Sequence, residues 1–150
     1  MPNRPVARAF ASSFGIGFFP FLPGTVASVI GVFLYLLVFR SLFLYGGSVF
    51  FVFVVGLFAS RRSLQTTTEK DPSWIVIDEV LGMMLSLFLI PPRIPFLIFG
   101  FILFRFFDSI KAWPLDRLEL LHGEWGILLD DVGAGIYANL ILQIVLRATS

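Results

Sequence analysis

The amino-acid sequence predicts an all-α, polytopic integral membrane protein, and three observations support this fold class. Of its 150 residues, 57% are hydrophobic and 14% are charged, whereas about a quarter of the residues of a soluble domain carry a charge. The mean hydropathy is +0.91, and a soluble domain of this size has too little interior to bury so much apolar surface. The apolar residues form continuous runs without the alternation of a strand, so we predict a helical bundle.

The predicted bundle begins with an N-terminal segment and continues into about five apolar helices. Residues 10–23 are too few, and too often interrupted by glycine and proline, to cross a bilayer, so we predict an interfacial or re-entrant segment there. The first apolar helix is predicted over residues 25–43, before the pair Gly46-Gly47. The second is predicted over residues 48–59, where the apolar run reaches two arginines.

Three further apolar runs complete the predicted bundle. The third, residues 73–90, ends at two consecutive prolines, and the fourth, residues 95–111, ends before Trp113-Pro114. The fifth, residues 130–146, begins at an acidic pair. Because a helix that crosses a bilayer needs about 20 residues, the sequence leaves open whether all five runs span it. No linker or internal repeat divides the chain, so we predict one domain over residues 1–150.

Charge and cysteine content exclude several classes of function. The net charge of +1 gives no electrostatic reason to expect a nucleic-acid partner. The chain contains no Cys, which excludes disulfides and a thiolate nucleophile. The basic start is followed by an apolar stretch that contains prolines and no cleavage signal, so we interpret it as mature chain rather than as a signal peptide.

The charged residues predict the orientation of the bundle. With five crossings, the side of the N-terminus carries most of the basic residues, namely Arg4, Arg8, Arg61, Arg62, Lys70, Arg105, Lys111 and Arg117. The opposite side carries Arg40, Arg93 and Arg147. The positive-inside rule therefore places the N-terminus in the cytoplasm. The ten acidic residues all fall on that same side, an asymmetry that a scaffold without chemistry does not need.

Carboxylates at the helix ends of this face are the candidate catalytic residues. Asp78 and Glu79 lie inside the third run, Asp108 lies near the end of the fourth, and Asp130 and Asp131 open the fifth. Carboxylates gathered at a membrane boundary stay ionised only beside a cation or a basic partner. Oxygen ligands, in a chain with no Cys and one His, suit Mg²⁺ better than zinc or copper. We therefore predict these five residues as metal ligands, and a bound metal would activate water against a phosphate.

Basic side chains and a helix start are the candidates for phosphate binding. Arg105 and Lys111 share a helical stripe with Asp108 through a spacing of three, and both can neutralise phosphate oxygens. A tight turn before the first long helix, capped by Thr25, would present free N–H groups to a phosphate. The catalytic set therefore includes Lys111, and the predicted phosphate-binding residues are Gly24, Thr25, Ser28 and Arg105.

Each motif also has a purely structural interpretation. The acidic pair of the fifth run fits an N-cap and first turn, the charged stripe of the fourth fits a surface ion-pair ladder, and the Pro-Gly-Thr motif fits a simple helix start. Asp78 and Glu79 are harder to explain in this way, because burying two adjacent charges in an apolar run is costly unless they lie in the headgroup layer. The lone His122 fits a surface loop and lacks the second His of a His-dependent phosphatase.

Four motifs, taken in order, resemble the phosphatidylglycerophosphatase A family of bacterial membrane phosphatases. They are PGTVAS (23–28), IVIDEVLG (75–82), FRFFDSIKAWP (104–114) and HGEWGILLDDVGAG (122–135), and they extend through most of the chain. The chain departs from the family at Ala27, Ala112 and Glu124, where Gly, Pro and Gly are usual. These departures affect loop geometry and remove no carboxylate or base.

The resemblance implies an Mg²⁺-dependent enzyme that removes the terminal phosphate of phosphatidylglycerophosphate and yields phosphatidylglycerol. It also implies a multi-pass protein of the bacterial cytoplasmic membrane, with its active site on the cytoplasmic face. The catalytic roles carry over to Asp78, Glu79, Asp108, Lys111, Asp130 and Asp131, with Gly24, Thr25 and Arg105 as supporting residues.

Other functions remain open at this stage. We expect direct attack by water, although Asp108 could instead form an aspartyl phosphate. A small cation channel or transporter would also use intramembrane carboxylates. A non-catalytic membrane subunit would not depend on them, and a phosphatase or phosphotransferase for another lipid headgroup would use the same site.

Overall fold

The computed structural model describes residues 4–150 and confirms the all-α fold class. Within these residues there are seven α-helices, a single 3-10 turn at Ile16–Phe18 and no strand. The helices are α1 (Arg4–Ala11), α2 (Pro23–Val38), α3 (Leu42–Leu64), α4 (Ile77–Ser86), α5 (Ile94–Ile110), α6 (Leu115–Glu119) and α7 (Glu124–Ala148). The short α4 packs against α2, α3, α5 and α7 and forms the centre of the bundle.

The boundary between the first two long helices differs from the prediction. The break lies at residues 39–41, and Gly46 and Gly47 are inside α3 rather than between helices. Ser41 is the N-cap of α3, and its hydroxyl accepts a hydrogen bond from the Leu44 N–H at 3.3 Å. A serine cap stabilises a helix start by about 1 kcal/mol, and from this start α3 continues as a single helix of 23 residues.

The third apolar run does not form the predicted long helix. Its helix, α4, has 10 residues and is therefore about 15 Å long, half of what a bilayer requires. Eight of the 10 residues are buried within the protein, so the apolar residues of this run reflect packing against protein rather than against lipid. The run looks like a spanning helix in the sequence because burial against protein and burial against lipid select the same residues.

Polar side chains satisfy the backbone where α4 ends. The Asn139 amide donates to the carbonyls of Ser86 and Phe88, at 3.0 and 2.7 Å. The Tyr35 and Tyr45 hydroxyls donate to the carbonyls of Ile90 and Met84. Irregular backbone deep inside a membrane protein is tolerated only with such partners. These bonds explain how the chain can leave a helix in the middle of the bundle.

Within the described residues, α3 and α7 are the helices long and apolar enough to cross a membrane. The prediction of about five apolar helices, which left open how many of them span, is therefore not confirmed: α2 and α5 have 16 and 17 residues, and α4 is a half-length helix. Large apolar side chains are exposed along the helices, with Phe43 the most exposed at 88%. Exposed faces of this kind account for the high hydropathy of a chain with a small interior.

The N-terminal segment is a short helix and a 3-10 turn that pack onto the loop before α4. The Val76 N–H donates to the Ala11 carbonyl at 2.9 Å. The Phe18 and Trp74 rings stack at 5.6 Å, and the Arg8 guanidinium lies 4.9 Å from the Phe18 ring centre. Through these contacts the segment fixes the loop that leads into Asp78 and Glu79.

We expect Asn139→Ala to destabilise the fold by about 1–3 kcal/mol, because the substitution leaves the carbonyl of the buried Ser86 without its side-chain donor. The Phe88 carbonyl keeps Gln143 as a donor, at 3.0 Å. Thermal unfolding of the purified protein in detergent measures the loss. Leu140→Ala, at the neighbouring exposed position, is the control and should change the free energy of unfolding by less than about 0.5 kcal/mol. Equal unfolding temperatures for Asn139→Ala and wild type would show that these bonds do not hold the end of α4.

Candidate active site

A charged cavity of about 310 Å³ lies where the start of α2, the start of α4, the end of α5 and the second turn of α7 meet. The structure brings all six predicted catalytic residues to its wall, together with two of the four predicted phosphate-binding residues. These eight are Asp78, Glu79, Asp108, Lys111, Asp130, Asp131, Gly24 and Arg105. Residues separated by more than 100 positions in the sequence therefore form one site.

Three carboxylates form the acidic centre of this cavity. One carboxylate oxygen each from Asp78, Glu79 and Asp131 lies within 4.8 Å of the other two. Each residue also has a buried oxygen with no hydrogen-bond partner among the described residues. Buried carboxylates without partners are costly unless a cation or protons compensate them. Hard oxygen ligands converging in this way can hold a divalent cation such as Mg²⁺.

The position of Asp130 and Asp131 in α7 corrects the prediction that they open this helix. The helix begins at Glu124, after Gly123 with a φ of 64°, so both aspartates lie in its second turn. The N-cap interpretation of the pair is therefore wrong. Successive residues of a helix point about 100° apart, and the two carboxylates accordingly separate: Asp131 joins the acidic centre, whereas Asp130 faces Lys111.

The basic side chains lie along the opposite wall, each held by acidic partners. Arg105 Nη1 lies 2.9 Å from Asp108 Oδ2 and 3.9 Å from Glu79 Oε1. Lys111 does not continue the predicted stripe, because α5 ends at Ile110 and Lys111 is left-handed with a φ of 49°. This turn places Lys111 Nζ 3.0 Å from Asp130 Oδ2, and 2.9 Å from Glu119 Oε1.

The start of α2 is close to the site, but it differs from the predicted phosphate cradle. Leu22, with a φ of 46°, is the N-cap of α2, Pro23 is its first residue, and no described side chain caps it, so Thr25 is not the cap. Ser28 is buried, and its hydroxyl donates to the Gly24 carbonyl at 2.9 Å. Neither Thr25 nor Ser28 lines the cavity, whereas Gly24 does. A Cβ on Gly24 would lie 2.1 Å from Glu79 Oε1, so a larger residue cannot fit there without moving this carboxylate.

Two acidic residues of the site were missed by sequence reasoning. Asp71 lines the mouth of the cavity. Although its side chain is exposed, loss of hydration raises the pKa of Asp71, and Lys111 partly opposes this increase. Asp71 stands directly before a proline and the third apolar run, and this position could have identified it as a candidate site residue from the sequence. Glu119, the last residue of α6, pairs with Lys111, and no local pattern in the sequence indicates such a contact. His122 is exposed outside the cavity, as predicted.

The fold and the site define a class of protein: a bundle of apolar helices that carries a cavity for phosphate chemistry at the helix ends. Acidic residues that can hold a cation face basic residues that can neutralise phosphate oxygens. The sequence model of the family described as phosphatidylglycerophosphatase A matches residues 9–146. The chain belongs to this family, as its motifs predict, and it is an enzyme of the phosphoric monoester hydrolase class.

Relatives cover most of the chain. A Bacteroides thetaiotaomicron protein provisionally named phosphatidylinositol-3-phosphatase is 34% identical over 142 residues, covering 89% of this chain and 89% of the relative. Phosphatidylglycerophosphatase A of Escherichia coli is 32% identical over 138 residues, covering 90% of this chain and 80% of the relative. The protein of the same name from Haemophilus influenzae is 32% identical over 139 residues, covering 88% and 83%. No solved structure matches the chain significantly.

We expect Gly24→Ala to lower the rate of phosphate release by roughly 100-fold, because the new methyl group displaces Glu79 or Arg105 and small displacements in a site cost that much. The assay follows inorganic phosphate released from a lipid phosphomonoester. Gly46→Ala is the matched control, because a Cβ at Gly46 meets no described atom within 4 Å. Full activity of Gly24→Ala would show that the close approach of α2 is not required.

Proposed function

We propose that the protein hydrolyses the terminal phosphate of phosphatidylglycerophosphate to phosphatidylglycerol and inorganic phosphate. The observation that carries this proposal is the acidic centre of Asp78, Glu79 and Asp131, with its buried unpaired oxygens, beside Arg105. The substrate is suggested by the relatives from E. coli and H. influenzae, both named phosphatidylglycerophosphatase A.

In this proposal Asp78, Glu79 and Asp131 hold Mg²⁺. Of the five carboxylates predicted as ligands, the other two are already engaged: Asp108 by Arg105 at 2.9 Å and Asp130 by Lys111 at 3.0 Å. Their role is therefore to hold the basic side chains in place rather than to ligate. When bound, Mg²⁺ polarises the phosphoryl group and makes a bound water more acidic.

The side chains of the protein perform the remaining steps. Arg105 and Lys111 bind the phosphate oxygens and neutralise the charge that grows on them in the transition state. A carboxylate oxygen of the cavity orients the attacking water and accepts its proton. The bond from the water oxygen to phosphorus forms as the bond from phosphorus to the glycerol oxygen breaks, and the proton taken from the water returns to the glycerol oxygen, which leaves as the alcohol. Because Asp108 is engaged by Arg105, we favour direct attack by water over an aspartyl phosphate on Asp108.

We also propose that the enzyme is a multi-pass protein of the bacterial cytoplasmic membrane, with the N-terminus and the site on the cytoplasmic side. The excess of basic residues at the helix ends near the site supports this orientation. The long apolar helices α3 and α7 and the exposed apolar side chains of the other helices support membrane insertion.

We expect the purified wild-type protein to release phosphate from phosphatidylglycerophosphate with Mg²⁺ and to stop when EDTA is added. Asp78→Asn and Asp131→Asn should each lower the rate by roughly 100-fold or more, because each removes a charge that must hold the cation. Asp116→Asn, an exposed acidic residue of α6 outside the cavity, is the matched control and should remain active.

A panel of substrates then tests the headgroup. The Bacteroides relative makes phosphatidylinositol 3-phosphate the second candidate substrate. A higher kcat/KM for that lipid than for phosphatidylglycerophosphate would move the assignment to the second headgroup. Release from neither lipid, by folded protein in several detergents, would refute both.

Mg²⁺ should also stabilise the folded protein, in a way that separates the ligands from their neighbours. At a concentration of about 100 times the Kd, binding adds about 2.7 kcal/mol to the free energy of unfolding. We expect Asp131→Asn to lose this gain and Asp116→Asn to keep it, as measured by thermal unfolding with and without Mg²⁺. In EDTA, Asp131→Asn should be at least as stable as wild type, because one buried charge is gone. An undiminished Mg²⁺ effect in Asp131→Asn would remove this residue from the proposed ligands.

A further inference from the structure

Charged side chains from α4, α5 and α7 line much of the charged cavity, and an exposed apolar edge lies at the start of α2. Towards α7 and the loop before α4, the lining residues include Asp71, Ser73 and Asp130, and the apolar residues there, Pro72 and Ile75, are buried. At the start of α2, Leu22 lines the cavity and is 72% exposed. Among the described lining residues, Leu22 is the large apolar side chain that reaches both the cavity and the outer surface.

On α5, an apolar strip leads away from the cavity. Ile102 and Ile98 precede Arg105 by three and seven residues, so they lie on the face of the helix that carries Arg105. Both are exposed, at 57% and 56%. One turn of helix rises about 5.4 Å, and the strip therefore begins about one turn before Arg105, whose guanidinium lies beside Glu79.

We propose that Leu22, Ile102 and Ile98 form an acyl track, along which one acyl chain of the substrate lies while its phosphate is bound beside Arg105. This inference rests on the proposed function and adds a binding site for the acyl chains, the part of the lipid that the charged cavity does not contact. A lipid whose phosphate is held in the cavity must direct its chains out of it. The charged side chains disfavour an apolar chain, whereas the exposed edge at Leu22 adjoins Gly24, whose added Cβ would lie 3.4 Å from Arg105 Nη1 on α5.

A second apolar feature lies elsewhere and provides the natural comparison. A groove of about 480 Å³ between α2 and α3 is lined by apolar side chains, including Phe51. It borders the opposite side of α4, where Ile77 and Val80 line the groove, whereas Asp78 and Glu79 line the cavity. A chain in this groove would be separated from the phosphate by α4, so we place the substrate chain on α5.

The test compares long-chain phosphatidylglycerophosphate with a short-chain, water-soluble form of the same lipid. Ile98→Ala/Ile102→Ala should lower kcat/KM for the long-chain lipid by roughly tenfold, because contact with two side chains is lost. Its kcat/KM for the short-chain form should equal that of wild type. Leu22→Asn should lower kcat/KM for the long-chain lipid more than for the short-chain form, and asparagine tolerates the left-handed backbone at this position. The control is Phe51→Ala, at a position in the groove between α2 and α3 that is 61% exposed. It should show no selective loss of kcat/KM for the long-chain lipid.

Each outcome decides the proposal. A loss confined to the long-chain lipid in the α5 variant, together with a larger loss for that lipid than for the short-chain form in Leu22→Asn, supports the acyl track. Equal losses for both forms of the lipid, or a selective loss in Phe51→Ala instead, would overturn it and leave the proposed function intact. Phosphate release from neither form by wild type would overturn the proposed function, and the acyl track with it.

Discussion

The burial of three carboxylates against one another is the constraint on which the rest of this structure depends. Asp131 reaches Asp78 and Glu79 only because α4 and α7 approach closely at two glycines. A Cβ on Gly135 would lie 2.4 Å from the Gly82 carbonyl oxygen, so any side chain there would push the helices apart. The small residues thus bring together charges that repel, and the repulsion must be offset by a cation, by protons or by Arg105.

The half-length α4 serves this arrangement. Because its first turn carries Asp78 and Glu79, the positive end of its dipole lies at the acidic centre and partly offsets the repulsion. A full spanning helix would carry its two termini to the two membrane surfaces. The short helix instead ends inside the bundle, and Asn139 and the two tyrosines replace the missing backbone partners.

The sequence predicted the fold class, the family and the residues that meet in the cavity, because motifs retain the side chains on which chemistry depends. It did not predict where helices end, because tertiary contacts decide this: Ser41 outweighs two glycines, and Asn139 stabilises a helix end that hydropathy does not reveal. The partners of Lys111 were also missed, because Lys111 itself is left-handed, and this conformation turns its side chain from the expected stripe toward Glu119 and Asp130.

The charge balance of the cavity implies an order of binding. Six carboxylates line it against two basic side chains, both of which already have acidic partners. A phosphate monoester that enters such a cavity alone meets net negative charge, and this repulsion opposes binding. A cation at the acidic centre reverses that balance locally, and by linkage the phosphate would strengthen the binding of the cation to the same degree. Under the proposed function, the acidic centre therefore controls the binding of substrate as well as its hydrolysis.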